Sequence, residues 1–118
     1  MDIQIKRTTE APARGDGARV LVDRLWPRGK SKEVLKLELW LRDAAPSTEL
    51  RQWFGHDPAK WAEFRRRYHA ELDASAAALA PLRELLAQGR VTLVYAATDT
   101  AHNNAVALRE WLQRHGRR

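Results

Sequence analysis

Apolar and polar residues alternate at the start of the chain. Ile3 and Ile5 face one way and Gln4 and Lys6 the other, which predicts a half-buried strand over residues 2–7. After the loop residues Ala11 to Gly17, the unbroken run Val20-Leu21-Val22 reads as a buried strand over 19–24, closed by Pro27 and Gly29. A third run, Val91 to Ala97, is apolar on both faces and predicts a central strand. Between the second and third runs the period changes. Trp61, Phe64, Tyr68, Leu72, Ala76 and Leu79 recur every three or four residues, as one buried face of a helix does.

Start and stop residues place the other elements. Ser47 suits the N-cap of a short helix ending near Gly55, and Asp57-Pro58 suits the start of the long one. Pro81 is expected to break or kink that helix, with a further helix running to about Gln88 and stopping at Gly89. Thr98-Asp99-Thr100 reads as the start of a final helix with Ala101, Ala105, Leu108 and Leu112 on one face. Residues 33–44 carry both periods; an extended lead-in followed by a short helix over 38–44 is the preferred reading. The order of elements predicts an α/β fold with a short sheet, parallel central strands and helices packed against it. The second and last strands should be parallel neighbours. Leu21, Trp61, Phe64, Tyr68, Leu93, Val94 and Leu108 are the expected core.

Composition narrows the class. The 118 residues suit one domain, 1–118, and 44% hydrophobic with 31% charged residues is the balance of a soluble globule. No run approaches the roughly 18 apolar residues of a membrane span, and Met1 to Lys6 carries no secretory pattern, so a cytoplasmic protein with no membrane partner is expected. The chain has no cysteine, which excludes disulfides, thiolate metal sites and a cysteine nucleophile. The net charge of +6 favours anionic partners, although much of the excess is arginine spread over helix faces and the tail Arg114, Arg117 and Arg118. Five tryptophans fall in different predicted elements and read mainly as core anchors.

The chemistry gathers at two strand ends. One supplies Asp23, Arg24 and Arg28; the other supplies Thr98, Asp99 and Thr100, then His102, Asn103 and Asn104. In open α/β sheets, ligands bind at this carboxyl edge. Guanidinium forks and a helix N-terminus both suit an anion. Arg24, Arg28, Thr98, Asp99, Thr100 and Asn103 are therefore the expected ligand-binding residues. Asp23 is expected to orient the arginines, and His102 or Asp23 would be the acid or base if there is turnover. Plainer readings stand beside these: Asp23–Arg24 as a structural ion pair or Arg24 paired with a helix carboxyl, Asp99 as a helix cap, and His102 as a capping or solvent-facing residue. His56-Asp57 offers a second polar spot, though Asp57 has a cap to make. His-Glu-x-x-His spacing, dinucleotide and phosphate-loop glycine motifs and a nucleophile elbow are all missing, so no metal and no cofactor is expected.

Arg19-Val20-Leu21-Val22-Asp23-Arg24-Leu25-Trp26-Pro27-Arg28-Gly29 resembles the signature of the YeaO-like family, small bacterial proteins in a domain-of-unknown-function group. The likeness continues through Trp40, Ala45-Pro46-Ser47, Trp53-Phe54, His56-Asp57-Pro58 and Val91 to Ala97. It covers nearly the whole chain, implies a shared domain and supplies little mechanism. A branch of the broader group has Asp-x-Arg after the early strand and Cys-His-Arg at the start of the last helix. Here that region reads Ala101-His102-Asn103-Asn104, which removes any thiol chemistry. The expected function is binding of a small anionic ligand, a phosphate ester or nucleotide, at the sheet's carboxyl edge. The alternatives are a nucleic-acid-binding accessory or regulatory protein, resting on Arg65-Arg66-Arg67, and a Trp-rich protein-interaction module. Oligomeric state and enzymatic activity stay open.

Overall fold

The computed structural model describes residues 1–115; Arg117 and Arg118 of the basic tail lie outside the described residues. Strands β1 (Ile3–Arg7), β2 (Ala18–Leu21), β3 (Leu39–Trp40) and β4 (Val91–Tyr95) form one sheet in the order β1-β4-β2-β3. All neighbours are parallel. β4 is buried along its whole length between β1 and β2, as its apolar run on both faces predicts.

The ambiguous segment resolves differently from the expectation. Ser31 caps a short helix α1 (Lys32–Leu35), where an extended lead-in was expected. Leu39 and Trp40 form β3, followed by a 3-10 turn over Arg42–Ala44, where a helix was expected. The open edge of β2 decides this. Glu38 N–H donates to Arg19 O at 2.7 Å and Leu41 N–H to Leu21 O at 2.8 Å, satisfying backbone groups that a helical turn would have left unpaired on the sheet.

Helix α2 (Thr48–Phe54) has Ser47 as its cap and Gly55 in the left-handed conformation beyond it, as expected. Asp57 caps a 3-10 turn, Pro58–Lys60, that runs into α3 (Trp61–Ala74). The break falls at Ser75, before Pro81. A 3-10 turn over Ala76–Leu79 leads into α4 (Ala80–Gln88), and Pro81 sits in its first turn, where no N–H is required. Helix α5 spans Asn104–His115, starting later than Thr98-Asp99-Thr100 suggested.

Val20, Leu93 and Tyr95 point from the sheet into the main core, where they meet Phe64, Tyr68, Leu72 and Leu108. Six of the seven expected core residues are buried. Trp61 is the exception. It is half-buried, with its ring stacked on Phe64 at 5.8 Å and edge-on to His102 at 5.4 Å.

The opposite face is covered without a long helix. Residues 8–17 carry the chain from β1 across β4 to β2. Asp16, 1% exposed, holds this crossing down. Its carboxylate takes Lys6 of β1 at 2.9 Å and Arg19 of β2 at 2.8 Å, while its carbonyl accepts Thr92 Oγ1 of β4 at 2.7 Å. One residue thus ties three strands together.

Candidate functional site

β2 ends at Leu21, and Val22 still donates its N–H to Val94 O, so Asp23 is the first residue past the sheet hydrogen bonds. Its carboxylate accepts Asn104 Nδ2 and the Ala96 N–H, each at 2.9 Å. Burial pushes the Asp23 carboxyl up, while these two donors and the nearby charges of His56 and Arg51 work against the rise. The loop that follows is pinned by two indoles. Trp40 Nε1 donates to Asp23 O at 2.7 Å and Trp26 Nε1 to Lys30 O at 2.7 Å, with the rings edge to face at 5.3 Å. Lys30 N–H then closes a turn onto Pro27 O, and Gly29 supplies the required positive φ of 76°. Arg28 projects from the exposed corner of that turn.

Arg24 does not pair with Asp23, contrary to the ion-pair reading, and Asp23 does not orient it. Arg24 donates instead to Pro46 O at 3.0 Å and Ala45 O at 3.2 Å. This is one of three clamps on residues 44–47. Tyr68 donates its hydroxyl to Ala44 O at 2.6 Å, and the Ser47 N–H and Oγ–H both donate to Glu71 at 2.8 and 2.6 Å. Complete burial holds the Tyr68 hydroxyl protonated well above its ordinary range, so it acts only as a donor here. Tyr68→Phe should strand the buried Ala44 carbonyl and cost about 1–3 kcal/mol in urea denaturation. A loss below the error of the fit would show that water replaces the hydroxyl.

Together these elements enclose a cleft of about 290 Å³ at the carboxyl ends of β2 and β4. Asp23, Arg24 and Arg28 form one side, Arg51, Phe54 and His56 a second, and His102, Asn103 and Asn104 a third. Phe54 and Phe64 stack at 4.3 Å in the apolar wall. His56 takes a left-handed φ of 58° directly after Gly55, a conformation that costs a non-glycine residue on the order of 1 kcal/mol.

The second strand end folds unlike a simple helix start. Asp99 accepts the N–H groups of Ala101 and His102 and the His102 side chain, which lowers its carboxyl to about 2. An ionised Asp99 only accepts, so His102 Nδ1 carries the proton of this 2.9 Å bond. Asn103 is the cap of α5: its Oδ1 accepts Val106 N–H at 3.0 Å and its Nδ2 donates to Asp99 O at 3.0 Å. Asp99 therefore caps the preceding turn, not the helix, and Thr98, Asp99 and Thr100 do not line the cleft. Arg24, Arg28, Asn103, Asp23 and His102 do. Sequence reasoning passed over Arg51 and read Phe54 and Phe64 only as packing, because nothing in the spacing brings α2 and α3 to this edge. Among the described residues, no group of three or more His, Cys, Asp or Glu is placed to hold a metal ion, and no helix is long and apolar enough to cross a membrane.

The family described as the inactive DUF488-N3 subclade matches residues 2–118. The chain belongs to this subclade. It is 41% identical over 113 residues to uncharacterised protein YeaO of Escherichia coli (strain K12), covering 96% of this chain and 98% of that one. It is 43% identical over 110 residues to uncharacterised protein Rv3073c of Mycobacterium tuberculosis (strain ATCC 25618 / H37Rv), covering 93% and 92%. These relatives bear out the resemblance carried by the Asp-Arg-Leu-Trp-Pro-Arg-Gly run. No solved structure matches the chain. Membership of the DUF488-N3 subclade accounts for the domain and leaves the cleft's ligand to be argued from its residues.

Proposed function

We propose that this protein binds a small anionic ligand, a phosphate ester or nucleotide, in the cleft at the carboxyl edge of its sheet. The observation that carries this reading is the pair Arg28 and Arg51. Both are exposed, both line the cleft, and neither is paired with a carboxylate among the described residues. His56 and His102 lie on the same cleft. A guanidinium fork matches a phosphate or carboxylate in geometry and charge. Arg24 supports the site by fixing its Pro46 wall, and Asn103 by fixing the α5 turn. Phosphate esters are solutes of the cytoplasm, the compartment expected from the sequence. The description of the subclade as inactive favours binding without turnover.

The nucleic-acid reading has less to stand on. In the Arg65-Arg66-Arg67 run, Arg65 is bonded to Glu110 at 3.1 Å, and Arg66 and Arg67 share Glu63, whose carboxyl they lower to about 2. Two carboxylates thus offset all but one of the three guanidinium charges.

The test is thermal denaturation with added phosphate. A ligand at 100 times its dissociation constant should raise stability by about 2.7 kcal/mol. Arg28→Ala and Arg51→Ala should each leave the unliganded protein within about 0.5 kcal/mol of wild type, as surface substitutions do, and should remove most of the phosphate increment. Equal increments in wild type and both variants would place the anion elsewhere.

A further inference from the structure

Asp23 is an odd residue to find in a cleft meant for an anion. Its carboxylate faces the cavity, yet no cation lies within ion-pair distance of it among the described residues. Its two protein donors are neutral: an Asn104 amide on Oδ1 and a backbone N–H on Oδ2. An ionised carboxylate offers about four lone-pair sites, so each oxygen keeps one acceptor position in hand. His56 and Arg51 are near enough to act on its charge and do not touch it. Orientation is fixed from three sides, by Asn104, Ala96 and the Trp40 bond to the Asp23 carbonyl. The group is preorganised to accept hydrogen bonds from something in the cleft.

An anion placed directly against Asp23 would be repelled, although Arg28 and Arg51 attract it elsewhere in the cleft. A ligand that carries hydroxyl donors next to its anionic group would satisfy both halves of the cleft. Two adjacent hydroxyls suit the two oxygens of one carboxylate, as the acid at a strand's carboxyl end does with ribose in dinucleotide-binding folds. The remaining wall is apolar: Leu25, 57% exposed, with Trp26 and the Phe54–Phe64 stack. That wall suits the carbon face of a sugar ring. Resting on the anion-binding reading above, we propose that the ligand is a ribosyl phosphate ester, with its vicinal diol on Asp23 and its phosphate toward Arg28 and Arg51. The shared chemistry is that of a free pentose phosphate and of a nucleotide.

Isothermal titration of the wild-type protein with ribose 5-phosphate, 2-deoxyribose 5-phosphate and inorganic phosphate tests this without any variant. Ribose 5-phosphate should bind at least about tenfold more tightly than the other two, the factor that about 1.4 kcal/mol of discrimination gives. Adenosine 5′-monophosphate then separates the sources: tighter binding than ribose 5-phosphate names a nucleotide, and equal or weaker binding names the free sugar phosphate. Asp23→Asn should reverse the order, weakening ribose 5-phosphate and strengthening inorganic phosphate, because the repulsive charge is gone and one acceptor has become a donor. Equal affinity for ribose and deoxyribose phosphates in wild type would overturn the diol proposal while leaving anion binding intact. No heat and no stabilisation with any of the three would overturn the anion-binding reading itself.

Discussion

Asp16→Ala should destabilise the protein by about 3–5 kcal/mol in urea denaturation at neutral pH, the cost of removing one partner from a buried ion pair. The side chains of Arg19 and Asp16 are 4% and 2% exposed, and Arg19 Nη2 already has no partner. Without Asp16, the guanidinium keeps only the Leu35 carbonyl, which accepts Arg19 Nε at 2.8 Å. Lys6 would lose its carboxylate as well and keep the Ala11 carbonyl. The pH dependence has a definite sign. Burial opposes ionisation of Asp16, but hydrogen bonds from Lys6, Ala13 and Arg19 outweigh it and hold the carboxyl below its usual value. The stabilisation is then fully present above the unfolded carboxyl pKa of about 3.9 and is lost as pH falls through the lower folded value. Asp16→Asn should therefore lose stability at pH 7 and show a flatter acid limb than wild type. Parallel acid limbs in the two proteins would assign that limb to other carboxylates.

This cluster also marks what the sequence does and does not disclose. Strands with clear patterns were legible. The alternation at Ile3 and Ile5 and the runs at Val20 and Val91 mark β1, β2 and β4, and the two-sided apolarity of Val91 to Tyr95 indicates its central place. Caps made by a side chain on its own next turn were legible too, as at Ser47 and Asp57. What was hidden depends on partners far along the chain. β3 exists because β2 has an open edge, and nothing within residues 39–40 announces that edge. Asp16 sits in a Gly-rich stretch that looks like solvent-exposed loop, while its partners are on three strands. At the site, Asp23, Arg24 and Arg28 were found because they follow a strand directly. Their roles were not legible, because adjacency suggested an Asp23–Arg24 pair that the backbone geometry sends in opposite directions, Asp23 to Ala96 and Arg24 to Pro46.

Arg24→Ala should behave as a wall defect, and its contrast with Arg28→Ala decides what each arginine does. The Ala45 carbonyl belongs to a residue 5% exposed, and Pro46 is buried, so both acceptors lose a charged donor where water has little access. Hydrogen bonds to charged groups are worth about 1.5–3 kcal/mol each. The two share one guanidinium and are not additive, so a loss of about 2–3 kcal/mol is expected without any ligand. Tyr68 and Glu71 still hold the flanking residues Ala44 and Ser47, so the segment should loosen at its centre and the protein should still fold. Phosphate should then stabilise Arg24→Ala by a reduced but measurable increment, because Arg28 and Arg51 remain. In Arg28→Ala the pattern inverts, with unliganded stability kept and most of the phosphate increment gone. Arg24→Lys discriminates further. A single ammonium cannot donate from the two positions that Nε and Nη2 occupy, so it should recover only part of the lost stability. If Arg24→Ala instead matched wild type in the absence of phosphate and lost the whole increment in its presence, Arg24 would be a ligand contact and its bonds to residues 45 and 46 incidental.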